Sequence, residues 1–369
     1  MTSLSTTLKE SWTLVEEHQD KVAQYFYARI FLSDPKLRDL FPLHLDATRA
    51  RLLGAIVTAV QTIDDPERFD DYLRGLGRDH RKFRIESVHF GLIGQALIDS
   101  MRAFAGERWS PAYEQAWQDA YREIAKKMLA AAQDDTTPPY WHAEIIKHER
   151  RGRDVAVFTC RTMQPFGYRA GQYVSLESDY HPRVWRVYSM ANAPRTDNTM
   201  DFHVRAVGAG WLSGALVRRV KVGDMLRVAA PMGSMAVDPR STRDIVCVAG
   251  GTGLAPLKAI IDELSRTNRT RWVHLFFGAR DREDLYDLDE LYAMAERCPW
   301  LSVVPVVSDD PTYDGEHGTV ADVVAGRGPW NHHDVFVSGS PAMVRATLRR
   351  LAEIRVPSVR IQYDAFGDQ

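Results

Sequence analysis

The hydrophobic and polar positions follow three different rhythms along the chain, and the rhythm changes twice. In the first third, Val22, Phe26 and Ile30 fall on one face of a helical turn. Leu52, Ile56, Ala59 and Ile63 do the same, as do Leu92, Ala96 and Phe104 with Ile93 and Leu97 beside them. Trp117, Tyr121, Ile124 and Met128 mark a further helix, and Ser33, Asp34, Pro35 and Pro66 punctuate the blocks. This pattern predicts an all-helical domain over residues 1–135. The run DDTTPP from Asp134 to Pro139 then stops helix propagation, because proline lacks the amide and clashes with the preceding turn. Beyond it come short alternating or β-branched runs (WHAEIIKH, DVAVFTC, QYVSL, VWRVYS, MDFHVRAV, MLRVAA), which predict an antiparallel sheet or β-barrel over 140–238. From residue 243 to 369, apolar strand-like runs alternate with helical stretches such as LAPLKAIIDELS and PAMVRATLRRLAEI. That rhythm predicts a parallel sheet with crossover helices.

Composition narrows the class. The 369 residues are 45% hydrophobic and 26% charged, and 47 basic against 49 acidic side chains give a net charge of −2, with no long run of like charge. Disorder and nucleic-acid partners lose their compositional support. The longest apolar stretch, Ile245 to Leu257, falls short of the roughly 18 residues that span a bilayer. The opening MTSLSTTLKESW lacks a secretory pattern, so a cytoplasmic setting is expected. Cys160, Cys247 and Cys298 are too scattered for a zinc clamp or a redox pair.

Two places carry chemistry. In the final third, VAGGTGLAP from Val248 to Pro256 joins a strand to a helix. Gly250, Gly251 and Gly253, with Thr252 between them, let the backbone turn sharply and offer amides to a pyrophosphate. In the helical third, Phe69, Leu73, Leu76, His80 and Phe83 step by four, three, four and three, so His80 sits on a buried stripe. A lone buried histidine is commonly a satisfied core residue. One imidazole in an apolar surround also suits an iron porphyrin, which brings four ligands of its own and needs one axial donor.

Ordered motifs turn these into a resemblance. RVYS (Arg186 to Ser189), GWLSGAL (Gly210 to Leu216), GGTG and SGSPAM (Ser338 to Met343) resemble, in that order, the ferredoxin-reductase type of flavin and nicotinamide module. The resemblance implies Arg186, Tyr188, Ser189 and Ser213 at FAD, with Arg205 near the flavin nucleotide and Phe366 of the terminal IQYDAFG over the flavin ring. Ser338 stands where that family has cysteine. Upstream, YFYARIFLSDPKLRDLF (Tyr25 to Phe41) and RDHRKFRIESVHFGLIGQAL (Arg78 to Leu97) resemble the globin half of flavohaemoglobins. That implies His80 as the proximal metal ligand, Tyr27 as the distal tyrosine, and Phe41 and Leu52 against haem b. The expected architecture is therefore multidomain: an all-α globin, an antiparallel β-barrel FAD domain, and an α/β NAD domain.

The chain departs from that family on the proximal side. Phe90 and Ala132 occupy the places of a hydrogen-bonding tyrosine and glutamate, Asp79 replaces a lysine, and Thr48 stands where glutamine is common. Without a carboxylate behind it, the imidazole is a weaker donor. The expected activity passes electrons from NAD(P)H through FAD to haem, with bound O2 oxidising nitric oxide to nitrate. Two alternatives stay open: a haem-based oxygen or redox sensor, and a flavin dehydrogenase drawing on a small 2-hydroxy acid or quinol. Arg280, Asp281 and Arg282 point both ways between NADH and NADPH.

Overall fold

The computed structural model describes residues 3–208 and 210–366. Met1, Thr2 and Gly367 to Gln369, at the outer ends of the expected domains, lie outside the described residues. The chain divides into two compact units, one reaching Tyr140 and the other beginning at Trp141.

The first unit is helical: α1 Leu4–Thr13, α2 Gln19–Ser33, α3 Asp46–Thr62, α4 Pro66–His80, α5 Ser87–Ala105 and α6 Pro111–Asp134. Its starts are written in the sequence. Asp65 and Ser110 accept from the amides of Arg68 and Tyr113, and each is followed by a proline, whose missing amide costs nothing in the first turn. Val22, Phe26, Ile30 and Leu73 are buried, as their spacing requires. Glycine allows the closest helix contacts. A Cβ on Gly77 of α4 would come under 3.0 Å from the Met128 backbone of α6, and one on Gly94 of α5 would meet the ring of Tyr121. The stripe through His80 is shorter than its spacing suggests. α4 ends at His80, and Phe83 belongs to a separate 3-10 turn, Arg81–Phe83, closed by Arg84 at φ 56°.

The second unit holds two sheets. The antiparallel one contains β1 Trp141–Arg151, β2 Val155–Thr162, β3 Tyr173–Ser178, β4 Arg186–Ser189, β5 Thr199–Arg205 and β6 Met225–Val228, in the order β4-β3-β6-β1-β2-β5. A bridge between Met190 and Phe202 draws the two edges together. A helix that periodicity did not reveal, α7 Trp211–Arg218, follows β5. The parallel sheet contains β7 Ile245–Gly250, β8 Val273–Ala279, β9 Leu301–Val307, β10 Glu316–His317, β11 Asp334–Gly339 and β12 Ile361–Ala365, in the order β10-β9-β8-β7-β11-β12. Its helices are α8 Leu254–Thr267, α9 Leu288–Arg297, α10 Val320–Gly326 and α11 Pro341–Glu353. All three cysteines are free and buried. Among the described residues no helix is long and apolar enough to cross a membrane.

Candidate functional site

In the helical unit, His80 closes α4 and its Nδ1 lies 2.8 Å from the carbonyl of Leu76, one turn back. A carbonyl only accepts, so Nδ1 carries the proton and Nε2 keeps a bare lone pair. Burial pushes the ring below the usual histidine range, which keeps it neutral and able to ligate. Among the described residues no group of three or more His, Cys, Asp or Glu gathers to hold a metal. An iron at His80 must therefore bring its remaining ligands with it.

The surroundings suit a flat apolar group. A small domain normally has one contiguous core, whereas here the helices carry two apolar clusters. The first contains Tyr27, with Phe41 and Leu52 half-buried at its margin. The second, on α4 and α6, contains Phe69, Leu73 and Met128, with Leu76 and Phe90 at its margin, and Ile63 packs against both clusters. Tyr27 and Phe41 meet edge to face with ring centres 5.4 Å apart. The Tyr27 hydroxyl donates a long 3.4 Å bond to the carbonyl of Thr48, and burial raises its pKa, so it remains a donor.

Among the described residues Nδ1 of His80 meets the Leu76 carbonyl and no carboxylate. Asp79 is ion-paired instead with buried Lys82, at 2.5 Å. The Phe90 carbonyl accepts from the hydroxyl of Tyr121 at 2.8 Å, and Ala132 lies in the last turn of α6. Neither Tyr121 nor the Leu76 carbonyl was singled out from sequence. The second is local, a ring nitrogen meeting the carbonyl one turn back on its own helix.

In the second unit, Arg186, Tyr188 and Ser189 lie on β4. Arg186 donates to the carbonyl of Trp185 at 2.9 Å, and burial lowers its pKa without threatening its charge. Ser189 is buried, and its hydroxyl finds no partner among the described residues. Ser213, in the first turn of α7, is satisfied within its own loop: it donates to the Gly210 carbonyl at 3.2 Å and accepts from the Val207 amide at 3.3 Å. Arg205 ends β5. The Met190–Phe202 bridge brings it toward the Arg186 end of β4, but its guanidinium is held by Asp154 at 3.2 Å and by Asp284 at 2.9 Å.

Gly250 ends β7, and Gly251, Thr252 and Gly253 form a 3-10 turn that runs into α8. Gly251 has φ 54° with open space around its Cα, whereas a Cβ on Gly253 would strike the backbone of Ser338 and Gly339 on β11. The turn thus presses on the very strand that carries Ser338, which is fully buried with a hydroxyl that has no partner among the described residues. Phe366 is half-buried just past β12, and its amide donates to the Gly339 carbonyl at 2.8 Å. The structure therefore gathers the glycine turn, Ser338 and Phe366 at one end of the parallel sheet. Two orphaned buried hydroxyls, Ser189 and Ser338, are what a bound polar ring system would satisfy.

Comparison with known proteins follows the same division. Family models match as Globin over residues 24–128, Oxidoreductase FAD-binding domain over 142–237, and Oxidoreductase NAD-binding domain over 247–349. A flavohemoprotein of Bordetella pertussis is 26% identical, covering 98% of this chain and 96% of the relative. A reductase component of the naphthalene 1,2-dioxygenase/salicylate 5-hydroxylase systems of Ralstonia is 33% identical, covering 61% of this chain and 70% of the relative. Among solved structures, a flavohemoglobin from Malassezia yamatoensis with bound FAD and heme shares the fold end to end. It is 17% identical with a TM-score of 0.82 and covers 100% of this chain and 99% of that one. Helical unit and reductase unit together define a class, a globin joined in one polypeptide to FAD- and NAD-binding domains. The chain is a globin–reductase fusion with flavohemoprotein homologues along 98% of its length, and it is an NAD(P)H- and FAD-dependent oxidoreductase that delivers electrons to a globin haem.

Proposed function

We propose that this protein is a nitric oxide dioxygenase, built as a globin over 1–135, an FAD-binding barrel over 140–238 and an NAD(P)-binding domain over 243–369. In this reading His80 holds the iron of haem b through Nε2, and Leu76 fixes the tautomer that exposes it. Tyr27 supplies one hydroxyl to an otherwise apolar distal wall, and Phe41 and Leu52 exclude water and shape access. Arg186 meets the flavin phosphate with a planar fork, Tyr188 and Ser189 face the flavin ring, and Ser213 turns its hydroxyl from its own loop toward the pyrophosphate. Gly250, Gly251, Thr252 and Gly253 offer the nicotinamide dinucleotide a turn of free amides, and Phe366 covers the flavin ring at the end of the sheet where Ser338 lies.

The cofactors supply hydride acceptance, one-electron transfer and O2 activation. Overall, each nitric oxide takes one O2 and one electron to become nitrate, so one NAD(P)H serves two turnovers. The observation that carries this reading is the pairing of a neutral His80, with its free lone pair, and a protonated Tyr27 in an apolar surround, on a chain with its own reductase. Two readouts test it: nitric oxide consumption at an electrode in the presence of NADH, and nitrate analysis. Two nitric oxide molecules consumed per NADH with stoichiometric nitrate is the expected result, and flavin and haem reduction without nitric oxide consumption would overturn it.

A further inference from the structure

β5 uses its two faces differently. Met200, Phe202 and Val204 are fully buried in the barrel core, whereas Asp201, His203 and Arg205 project from the other face. Two of these outward side chains reach the NAD-binding part. His203, buried, shares a 2.8 Å hydrogen bond with the hydroxyl of buried Tyr286, and Arg205 is paired with Asp284. Tyr286 and Asp284 both belong to the short segment between β8 and α9. A neighbour in the same segment, Asp287, is 1% exposed and takes Lys258 of α8 at 2.5 Å and Arg151 of β1 at 3.3 Å.

We propose that these residues form a joint that fixes the orientation of the NAD-binding lobe on the flavin barrel, with Arg205 serving this joint rather than the flavin phosphate. Charge supports the second clause. The guanidinium of Arg205 is engaged by two carboxylates, Asp154 and Asp284, so its single positive charge is already compensated without a phosphate. Connectivity supports the first. β4, which carries Tyr188 and Ser189, is bridged to β5 through Met190 and Phe202. β5 grips the segment after β8, that segment grips Lys258 of α8, and the glycine turn runs directly into α8. An apolar joint would adhere over a range of angles. Buried hydrogen bonds and ion pairs hold only in one orientation, because any slip leaves a buried polar group unpaired. The nicotinamide must approach the flavin closely, so an error of even 1 Å in this orientation is expensive.

The inference rests on the reading that reduced nicotinamide feeds this flavin, and the wild type's own reduction by NADH or NADPH, run alongside, tests that reading separately. The test uses the full-length holoprotein as wild type, Tyr286→Phe, Asp284→Asn and Arg205→Gln. FAD affinity is measured by flavin fluorescence. Anaerobic stopped-flow mixing with NADH or NADPH gives the flavin reduction rate and the long-wavelength charge-transfer absorbance that reports nicotinamide stacked on flavin. The expected result is FAD affinity within about threefold of wild type in every variant, with the charge-transfer absorbance weakened and reduction slowed fivefold or more at saturating nucleotide. Wild-type rates and absorbance in Tyr286→Phe and Asp284→Asn would overturn the joint, as would slowing that only matches the FAD lost. FAD affinity falling tenfold in Arg205→Gln, with Asp284→Asn unaffected, would return Arg205 to the flavin phosphate.

Discussion

The glycine turn makes a sharp prediction because its members are required for different reasons. Gly253→Ala places a Cβ under 3.0 Å from the Ser338 carbonyl and 2.6 Å from the Gly339 Cα, and both obstacles are backbone of a strand paired on both sides. Neither can rotate aside, so the turn itself must shift. Overpacking of this kind costs about 1–3 kcal/mol. For a unit of this size each kcal/mol lowers the melting temperature by about 2–4 °C, so a fall of about 2–12 °C is expected. Gly251→Ala meets no neighbour but must hold φ at 54°. The left-handed conformation costs about 1–2 kcal/mol, partly offset by about 0.4–1 kcal/mol from a stiffer unfolded chain.

The two therefore separate functionally more than thermally. Gly251→Ala leaves the amides where they were, and Gly253→Ala displaces them from the dinucleotide. Losing one charge-assisted amide bond is worth about 1.5–3 kcal/mol, which raises the half-saturating NADH concentration by about tenfold to a hundredfold in Gly253→Ala alone. Melting followed by release of flavin fluorescence isolates the reductase unit, and steady-state flavin reduction gives the nucleotide dependence. A Gly253→Ala protein that melts within about 1 °C of wild type and keeps its NADH dependence would refute the close-approach reasoning.

His80→Ala is expected to lose the Soret band and the carbon monoxide complex while keeping flavin, and a normal Soret band in that variant would refute the ligand assignment. Tyr27→Phe sacrifices only a long bond to Thr48 in the resting protein, so its cost appears with ligand bound: O2 dissociation accelerates about tenfold, following about 1.4 kcal/mol per decade, and an unchanged off-rate would mean another group stabilises the ligand. Phe90→Tyr combined with Ala132→Glu is expected to raise the iron to histidine stretching frequency and nitric oxide turnover together, because the Leu76 carbonyl now leaves the imidazole closer to neutral than to imidazolate. Burial pushes the Asp364 carboxyl from 3.8 up to about 6, so between these values the unfolded chain gives up its proton first and the folded state loses stability as pH rises. Asp364→Asn is accordingly expected to raise the reductase melting temperature near pH 8 and leave it nearly unchanged near pH 4, and equal effects at both would refute the burial argument.

The three rhythms were legible because burial imposes period 3.6 on helices and period 2 on half-buried strands, and the chain obeys both from Val22 to Val204. Short elements escaped notice. α7 and α10 have too few turns for a stripe, and the Arg81–Phe83 turn copies helical spacing while tightening past the end of α4. On the site, single residues with their own chemical signature, such as His80 and the glycine turn, could be named from sequence, whereas partnerships could not. Arg205 and Asp284 are 79 positions apart, His203 and Tyr286 83 apart, and no local pattern announces such pairs. Only the neighbouring Arg151–Asp287 pair leaves a trace, as complementary charge between a basic HERRGR at the end of β1 and an acidic REDLYDLDE after β8.

Burial of the three thiols bears on how the protein lives with its own chemistry. Cys160 and Cys247 are wholly enclosed in β2 and β7, and desolvation pushes Cys247 up to about 12 and Cys160 above the ordinary thiol range as well. Only the thiolate is a competent nucleophile, so at neutral pH neither offers a reactive sulfur to nitrosating species, peroxide or alkylating reagents. Cys298, 7% exposed after α9, is shifted in the same direction by burial. A chain that carries electrons between flavin and haem thereby presents oxidants with no ready sulfur of its own to damage. For the experimenter, a single cysteine added to the surface can carry a dye or spin label with every native thiol left in place.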